Sequence, residues 1–258
     1  MLRMTQHDQL DSPSRESLIL FRILGKKSLK NFYIEIYQKY QKVLSQAPKN
    51  GIALELGSGC GFVKDVIPEI VTSDVIPYNS IDKVVNALEM PFQDKELRAI
   101  FMLNVLHHIH NSPRAFQEFS RCLMTGGKIL IVDQYPGIPS RWILKHAHHE
   151  PFHQDSPNWE FAEQGPLSGA NGALAWIIFF RDRKKFEELY PNLKINKITI
   201  HSPLRYWLTG GLKKWNLLPS VLFNLATFMD QLLVKIWPGF GSFMDIELEK
   251  IETKKEHV

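Results

Sequence analysis

The feature that most constrains this chain is a short apolar run, Ile52 to Leu56, that ends in the turn Gly57-Ser58-Gly59-Cys60-Gly61. Glycines at alternate positions let the backbone take left-handed conformations and approach a ligand closely. A helix opening just beyond them would offer unpaired N–H groups. A buried strand feeding such a turn predicts the first strand of an open, mostly parallel sheet. Dinucleotide-binding turns of the nicotinamide type are spaced Gly-x-Gly-x-x-Gly. Here Gly61 stands directly two residues after Gly59, and Glu55 stands two before Gly57. Alone, a glycine-rich turn is a weak signal, so the rest of the chain has to be read with it.

The rhythm around the turn is that of an α/β sheet with crossovers. Apolar residues at helical spacing from about Leu18 to Leu44, among them Phe32, Ile36, Tyr37, Tyr40 and Val43, predict one or two helices before the sheet. After Ile52–Leu56 come a short helix over Phe62–Ile67, a strand from Ile70 ending at Asp74, a strand at Lys83–Val85 and one at Ala99–Leu103. Ser112-Pro113 predicts a capped helix start, with the stop at Gly126-Gly127, and Lys128–Val132 is the fifth strand. From Gln134 to Leu193 the rhythm breaks in a stretch rich in Pro, His, Trp and Gly, and so long an insertion is more often functional than idle. Lys194–Ile200 and Phe243–Ile251 alternate as strands, with a helical stripe between them over Pro219–Ile236. The expected organisation is a single domain: helices over 18–50, a core over 51–133, an insertion over 134–193, and strands with an amphipathic helix over 194–251.

Composition excludes several classes. A hydrophobic fraction of 44% with 22% charged residues fits a globular chain rather than a disordered one. The formal charge of +4 is mild, and lysine pairs such as Lys26-Lys27 and Lys213-Lys214 are scattered, so no nucleic-acid partner is expected. Two cysteines are too few for a disulfide scaffold, which favours a reducing cytoplasm, and no signal peptide or spanning helix is evident.

Further segments follow the turn in a telling order. Asp74 closes the second strand seventeen residues past Gly57, where a carboxylate can accept hydrogen bonds from two ribose hydroxyls. Next come Asn86-Ala87-Leu88-Glu89-Met90-Pro91-Phe92, then Leu103-Asn104-Val105-Leu106-His107-His108-Ile109, then Leu123-Met124-Thr125-Gly126-Gly127-Lys128-Ile129-Leu130. With the glycine turn, these resemble, in order, the cofactor half of the class I S-adenosylmethionine-dependent methyltransferases, of the type 11 domain kind, over roughly Ile52 to Asp133. The resemblance implies a Rossmann-like sheet, mostly parallel with its last strand antiparallel, and S-adenosyl-L-methionine as cofactor. It implies a cofactor site made of Glu55, Gly57, Ser58, Gly59, Gly61, Asp74, Asn86, Ala87 and Asn104. Asn86 stands where the family carries Asp, which keeps a carbonyl acceptor for the adenine amino group but removes charge.

For chemistry, His107 and His108 lie at the carboxyl end of the fourth strand, the edge where open α/β sheets bind ligands, and they are the catalytic candidates, as a base or as positioners of an acceptor. Packing of the loop is the competing reading for both. No metal is expected, because His146-Ala147-His148-His149-Glu150-Pro151-Phe152-His153 matches none of the zinc spacings. Cys60 reads as a small filler against the cofactor rather than a nucleophile.

Acceptor specificity is expected after Asp133. Ser168 and Asn171 are candidate hydrogen-bond partners, and Arg181-Asp182-Arg183 is either an anion holder or a surface ion pair. The downstream portion, with Pro203-Leu204-Arg205-Tyr206-Trp207, resembles an uncharacterised bacterial branch of these methyltransferases that accompanies surface-polysaccharide and glycolipid genes. The expected function is therefore methyl transfer to a small-molecule or lipid-linked glycan acceptor, O-directed. Quinone-type C-methylation and a non-catalytic cofactor-binding module are the alternatives. The stripe at 217–237 admits two readings: a core or lid helix, or a helix in peripheral contact with the inner membrane face, supported by Lys213, Lys214 and Lys235. Oligomeric state is not readable.

Overall fold

The computed structural model describes residues 11–146, 150–165, 167 and 169–252. Seven strands form one sheet: β1 (Ile52–Leu56), β2 (Val71–Asp74), β3 (Lys83–Val84), β4 (Leu97–Leu103), β5 (Leu123–Gln134), β6 (Leu193–His201) and β7 (Phe243–Lys250). Their order is β3-β2-β1-β4-β5-β7-β6. The first five pair in parallel, and β7 is inserted antiparallel between β5 and β6. This is the Rossmann-like sheet, mostly parallel with its last strand antiparallel, that the resemblance implies. The strand order reverses beside β1, so the carboxyl ends of β1 and β4 open a crevice there.

Two layers cover the sheet. On one face lies α1 (Arg15–Gly25) followed by α2 (Lys27–Leu44), which buries Leu29, Phe32, Ile36, Tyr37, Tyr40, Val43 and Leu44 in one cluster with Ala53, Ala99, Phe101, Leu130 and Val132 of the strands. The stripe recurs every three to four residues, the period that puts side chains on one helical face. Tyr40 stacks on Phe101 with ring centroids 4.5 Å apart. The other face is covered by α3 (Ser112–Cys122) and by the insertion, whose Trp159, Leu174, Ile177, Ile178, Phe179 and Phe186 are all buried against it. Much of the stretch between β5 and β6 is thus a packed layer. It contains α4 (Ile138–His146), helical turns over Leu174–Arg181, and α5 (Arg183–Leu189).

Three boundaries differ from expectation. The short helix after the glycine turn is a single 3-10 turn, Phe62–Asp65. Asn111, not Ser112, caps α3, its Oδ1 accepting from the Arg114 N–H, while the Ser112 hydroxyl donates to the Trp159 carbonyl. The helix ends at Cys122, and Gly126-Gly127 lies inside β5, beside a break in register against β4 between Leu97 and Ala99. The glycine pair that reads as a helix stop is a strand irregularity, the other setting where glycine recurs.

The C-terminal α6 (Phe223–Ile236) is the largest departure. Its buried residues are Phe223 and Asp230, whereas Leu225, Phe228, Met229, Leu232 and Ile236 are exposed. The core reading of this stripe is therefore corrected: the helix is held by its polar side. Asp230 accepts from the Leu204 N–H at 2.9 Å and pairs with Arg205 at 3.3 Å, and Arg205 reaches Glu35 at 2.6 Å. No helix among the described residues is long and apolar enough to cross a membrane.

Candidate active site

A cavity of about 660 Å³ opens at the carboxyl edge of β1 and β4. Glu55, Gly57, Ser58, Gly59, Cys60, Asp74 and Asn104 line one side, and His107, His108, Gln134 and Glu150 line another. Arg15, Ile19 and Ile23 of α1 and the segment from Tyr206 to Trp215 also contribute walls. Those two walls are tied together by Lys26, whose ammonium donates to the Thr209, Gly211 and Lys213 carbonyls at 3.0, 2.8 and 2.6 Å.

The glycine turn is stapled to β2. The Ser58 N–H donates to the Ser73 carbonyl at 2.8 Å, and the Ser73 N–H donates to Ser58 Oγ at 3.1 Å. Gly57 and Gly59 both have positive φ, 70° and 56°, a region costly for other residues. They serve different ends. A Cβ on Gly57 would overlap the Val105 side chain, so this glycine lets the turn pack on the β4 loop. A Cβ on Gly59 would have only Ile19 Cδ1 nearby, at 3.8 Å, so this glycine borders open cavity. Asp74 Oδ2 accepts from the Gly59 N–H and Oδ1 from the Ile76 N–H, each at 3.0 Å, which fixes the carboxylate while leaving lone pairs toward the cavity. Burial holds the Asp74 carboxyl above its usual range and pushes Glu55 up to about 8. It likewise pushes the Cys60 thiol up to about 11, which suits a filler and not a nucleophile.

His107 and His108 sit in a short turn after β4. His107 Nδ1 lies 2.6 Å from Asp133 Oδ1, and its Nε2 lies 3.3 Å from Glu150 Oε2. His108 Nδ1 lies 3.1 Å from the Gly169 carbonyl, with Nε2 3.6 Å from Glu150 Oε1. Burial works to lower the His107 pKa, but the Asp133 and Glu150 carboxylates together raise it above the usual imidazole range. Burial and the neighbouring His107 lower His108 to about 4.

The fold brings together most of the residues expected from sequence. Glu55, Gly57, Ser58, Gly59, Asp74, Asn104, His107 and His108 all line the cavity. Gly61, Asn86 and Ala87 are not among the lining residues: Gly61 packs toward the Ser80 carbonyl, and exposed Asn86 uses Oδ1 to accept from the Leu88 N–H. Asn171 is committed to the backbone, its Oδ1 accepting from the His153 and Ala173 N–H groups and its Nδ2 donating to the His153 carbonyl. Arg181 pairs with Asp182 at 2.7 Å, and Arg183 with Glu187 at 2.9 Å, so both arginines are engaged as ion pairs. His148, His149 and Ser168 lie outside the described residues. Sequence reasoning missed Asp133, Gln134 and Glu150. Asp133 closes the fifth strand as Asp74 closes the second, a signal that was available, whereas Glu150 had none.

Two unpaired atoms bear on whether a polar cofactor fits. Asn104 Oδ1 and Gln134 Oε1 are buried at the cavity wall with no hydrogen-bond partner among the described residues. Buried polar atoms are rarely left so, and a bound polar molecule is a usual partner. Asn104 also holds φ at 56°, a strained conformation for a residue with a side chain. An acidic residue buried beneath the turn, a fixed carboxylate at Asp74 and an open approach at Gly59 suit a ligand carrying an amine and a ribose.

Comparison with known proteins agrees with this geometry. Residues 54–131 match the family model described as a methyltransferase domain. Among solved structures, the chain is similar to geranyl diphosphate C-methyltransferase from Streptomyces coelicolor A3(2), at 16% identity and a TM-score of 0.51, covering 86% of this chain and 79% of that one. It is also similar to a chain of the Haloferax volcanii complex formed with the methyltransferase activator Trm112, at 11% identity and a TM-score of 0.51, covering 97% of this chain and 100% of that one. At such identities these likenesses speak for the fold. Residues 54–131 thus carry a methyltransferase domain, set on a sheet of the class I Rossmann-like kind.

Proposed function

We propose that the enzyme methylates an oxygen of a small-molecule or lipid-linked glycan acceptor. The observation that carries this reading is a single cavity with the glycine turn on one wall and the His107–His108–Glu150 group on another. Bound S-adenosylmethionine supplies an electrophilic methyl group, so alignment of the acceptor supplies much of the catalysis. Glu55, Gly59, Asp74 and Asn104 hold the cofactor, with Asp74 on the ribose. A hydroxyl acceptor must lose its proton as it attacks. His108 has its Nδ1 beside the Gly169 carbonyl, which can only accept, so Nδ1 carries the hydrogen and Nε2 is left as the proton acceptor. His107, oriented by Asp133, positions the same hydroxyl.

The acceptor is amphiphilic in this reading, and the protein works at the cytoplasmic face of a membrane. Trp215, Leu217, Val221, Leu225, Phe228 and Ile236 stand exposed along one stretch, with exposed Lys213, Lys214 and Lys235 beside them. Apolar residues flanked by lysines favour an interface with anionic lipid. The deciding experiment measures S-adenosylhomocysteine release with hydroxylated glycolipid acceptors and with their O-methylated counterparts. Turnover is expected with the free hydroxyl and not with the blocked one. Equal turnover on both would overturn O-methylation.

A further inference from the structure

His107, His108 and Glu150 converge on one point of the cavity wall. The His107 Nδ1 faces the Asp133 carboxylate and the His108 Nδ1 faces the Gly169 carbonyl, so each ring donates through Nδ1. Each Nε2 then faces Glu150, at 3.3 and 3.6 Å. Unless a proton or a cation intervenes, two lone pairs oppose the carboxylate there, whose Oε2 also accepts from Gln134 Nε2 at 3.2 Å. A proton on His107 Nε2 would relieve one of these oppositions and leave His108 facing the carboxylate. A divalent cation relieves all of them. It also sets positive charge against the Asp133 and Glu150 carboxylates.

The spacing suits one ion. Metal bonds of ~2.0–2.2 Å to imidazole nitrogen and carboxylate oxygen place two ligands of the same ion about 3–3.5 Å apart. The ligand atoms of the three residues all lie within 4.8 Å of one another, and among the described residues this is the one such group of His, Cys, Asp and Glu. Asp133 is fully buried behind His107, where a carboxylate fixes the ring's tautomer and raises its basicity as a ligand. The expectation of no metal rested on spacing along the His146–His153 segment. The fold instead takes only Glu150 from that segment and joins it to two histidines from the β4 edge.

We infer that His107, His108 and Glu150 form a binding site for one divalent transition-metal ion in the cavity wall. Two nitrogen ligands and one carboxylate favour Zn²⁺, Fe²⁺ or Mn²⁺ over the oxygen-seeking Mg²⁺. Three protein ligands leave coordination positions open, the arrangement of catalytic rather than structural sites. If the reading of this group as the acceptor end holds, the ion would take over from His108 Nε2, then a ligand, the task of easing loss of the hydroxyl's proton. The binding site itself stands apart from that reading.

The test titrates the full-length protein, stripped with chelator, with ZnCl₂, MnCl₂ and MgCl₂ by calorimetry. One tight Zn²⁺ site per chain is expected, with Mg²⁺ unable to compete at a thousandfold excess. Glu150→Gln and His108→Ala should each weaken Zn²⁺ at least a hundredfold, and Asp133→Asn ten- to a hundredfold. Absence of a stoichiometric site in the unaltered protein would overturn the inference. So would unchanged affinity in both ligand variants, which would assign the zinc to surface histidines. Should a variant fail to fold, anomalous scattering from zinc-soaked crystals of the unaltered protein decides: a peak between the two Nε2 atoms and Glu150 supports the site, and a peak only elsewhere removes it. Metal bound here without methylation of any hydroxyl sinks the proposed function and spares the site. Turnover undiminished in metal-free protein does the reverse, if calorimetry also shows no binding.

Discussion

The chain before Gln134 and the chain after it use the same periodic apolar stripe in opposite ways. In α2 the stripe of Leu29, Phe32, Ile36, Tyr37 and Tyr40 faces the sheet and is buried. In α6 the stripe of Leu225, Phe228, Met229, Leu232 and Ile236 faces outward, and the helix is anchored by Asp230 to Leu204 and Arg205. Periodicity tells which residues share a face, not what covers that face. What decided between the two helices was the polar residue on the opposite side. In α2 that side carries exposed, solvated groups such as Lys42 and a half-buried Glu35 that reaches Arg205, while in α6 it carries an aspartate fully buried against the same arginine.

The sharpest test of this contrast is Phe32→Ala. Phe32 lies within 5.6 Å of the Phe243 ring and 5.2 Å of the Tyr206 ring, centroid to centroid, so a cavity there has little room to collapse. A loss of ~3–5 kcal/mol is expected, a drop of about 6–20 °C in Tm for a chain this long. A thermal melt within about 2 °C of the unaltered protein would erase the distinction between the helices.

Asp74→Ala probes the cofactor wall and spares the stripe. Loss of hydrogen bonds to a charged acceptor costs ~1.5–3 kcal/mol, on the order of ten- to a hundredfold in affinity. S-adenosylmethionine and S-adenosylhomocysteine should weaken alike, since both carry the ribose. Calorimetry showing both bound normally would remove Asp74 from that role.

Glu55→Gln is smaller and depends on pH. Burial raises the folded-state pKa of Glu55 to about 8, above its ordinary value of 4.5. Between those values the folded protein holds a proton that the unfolded chain has released, so this group's contribution to stability declines as pH rises from 4.5 through 8. Glutamine is neutral throughout and removes that decline. The variant should gain steadily on the unaltered protein as pH rises from 5 to 8. Parallel denaturation curves across that range would show that Glu55 is not held neutral.

How much of this was legible in sequence follows from the same division. Strands β1 to β5, the glycine turn, Asp74 and the two histidines were all readable, because each is set by neighbours within one βα unit. Gly126-Gly127 misled because a helix stop and a strand irregularity both call for glycine, and only pairing with β4 distinguishes them. Asn86, placed at the adenine by resemblance, has its exposed Oδ1 accepting from the Leu88 N–H and is not among the cavity's lining residues. Glu150 was read only within the His146–His153 segment, apart from its partners. Its partners His107 and His108 are more than forty residues away, joined by a loop whose path is set by Asn171 and the Gly169 carbonyl.

The smallest expected change in stability belongs to Phe228→Asp, and it separates the two halves most cleanly. Phe228 is 60% exposed, so a charge there remains in water and stability should move by no more than ~0.5 kcal/mol. The same substitution in a buried stripe would strand an unpaired charge in apolar surroundings and unfold the chain. Cofactor affinity should also hold, because α6 contributes none of the residues that line the cavity. What should be lost is co-sedimentation with anionic vesicles, since a carboxylate replaces an apolar contact and opposes the pull of Lys213, Lys214 and Lys235 on the lipid headgroups. A folded variant that still pellets with vesicles would leave α6 exposed but take away its lipid. A variant that melts with Phe32→Ala would return α6 to the core and dissolve the contrast between the halves.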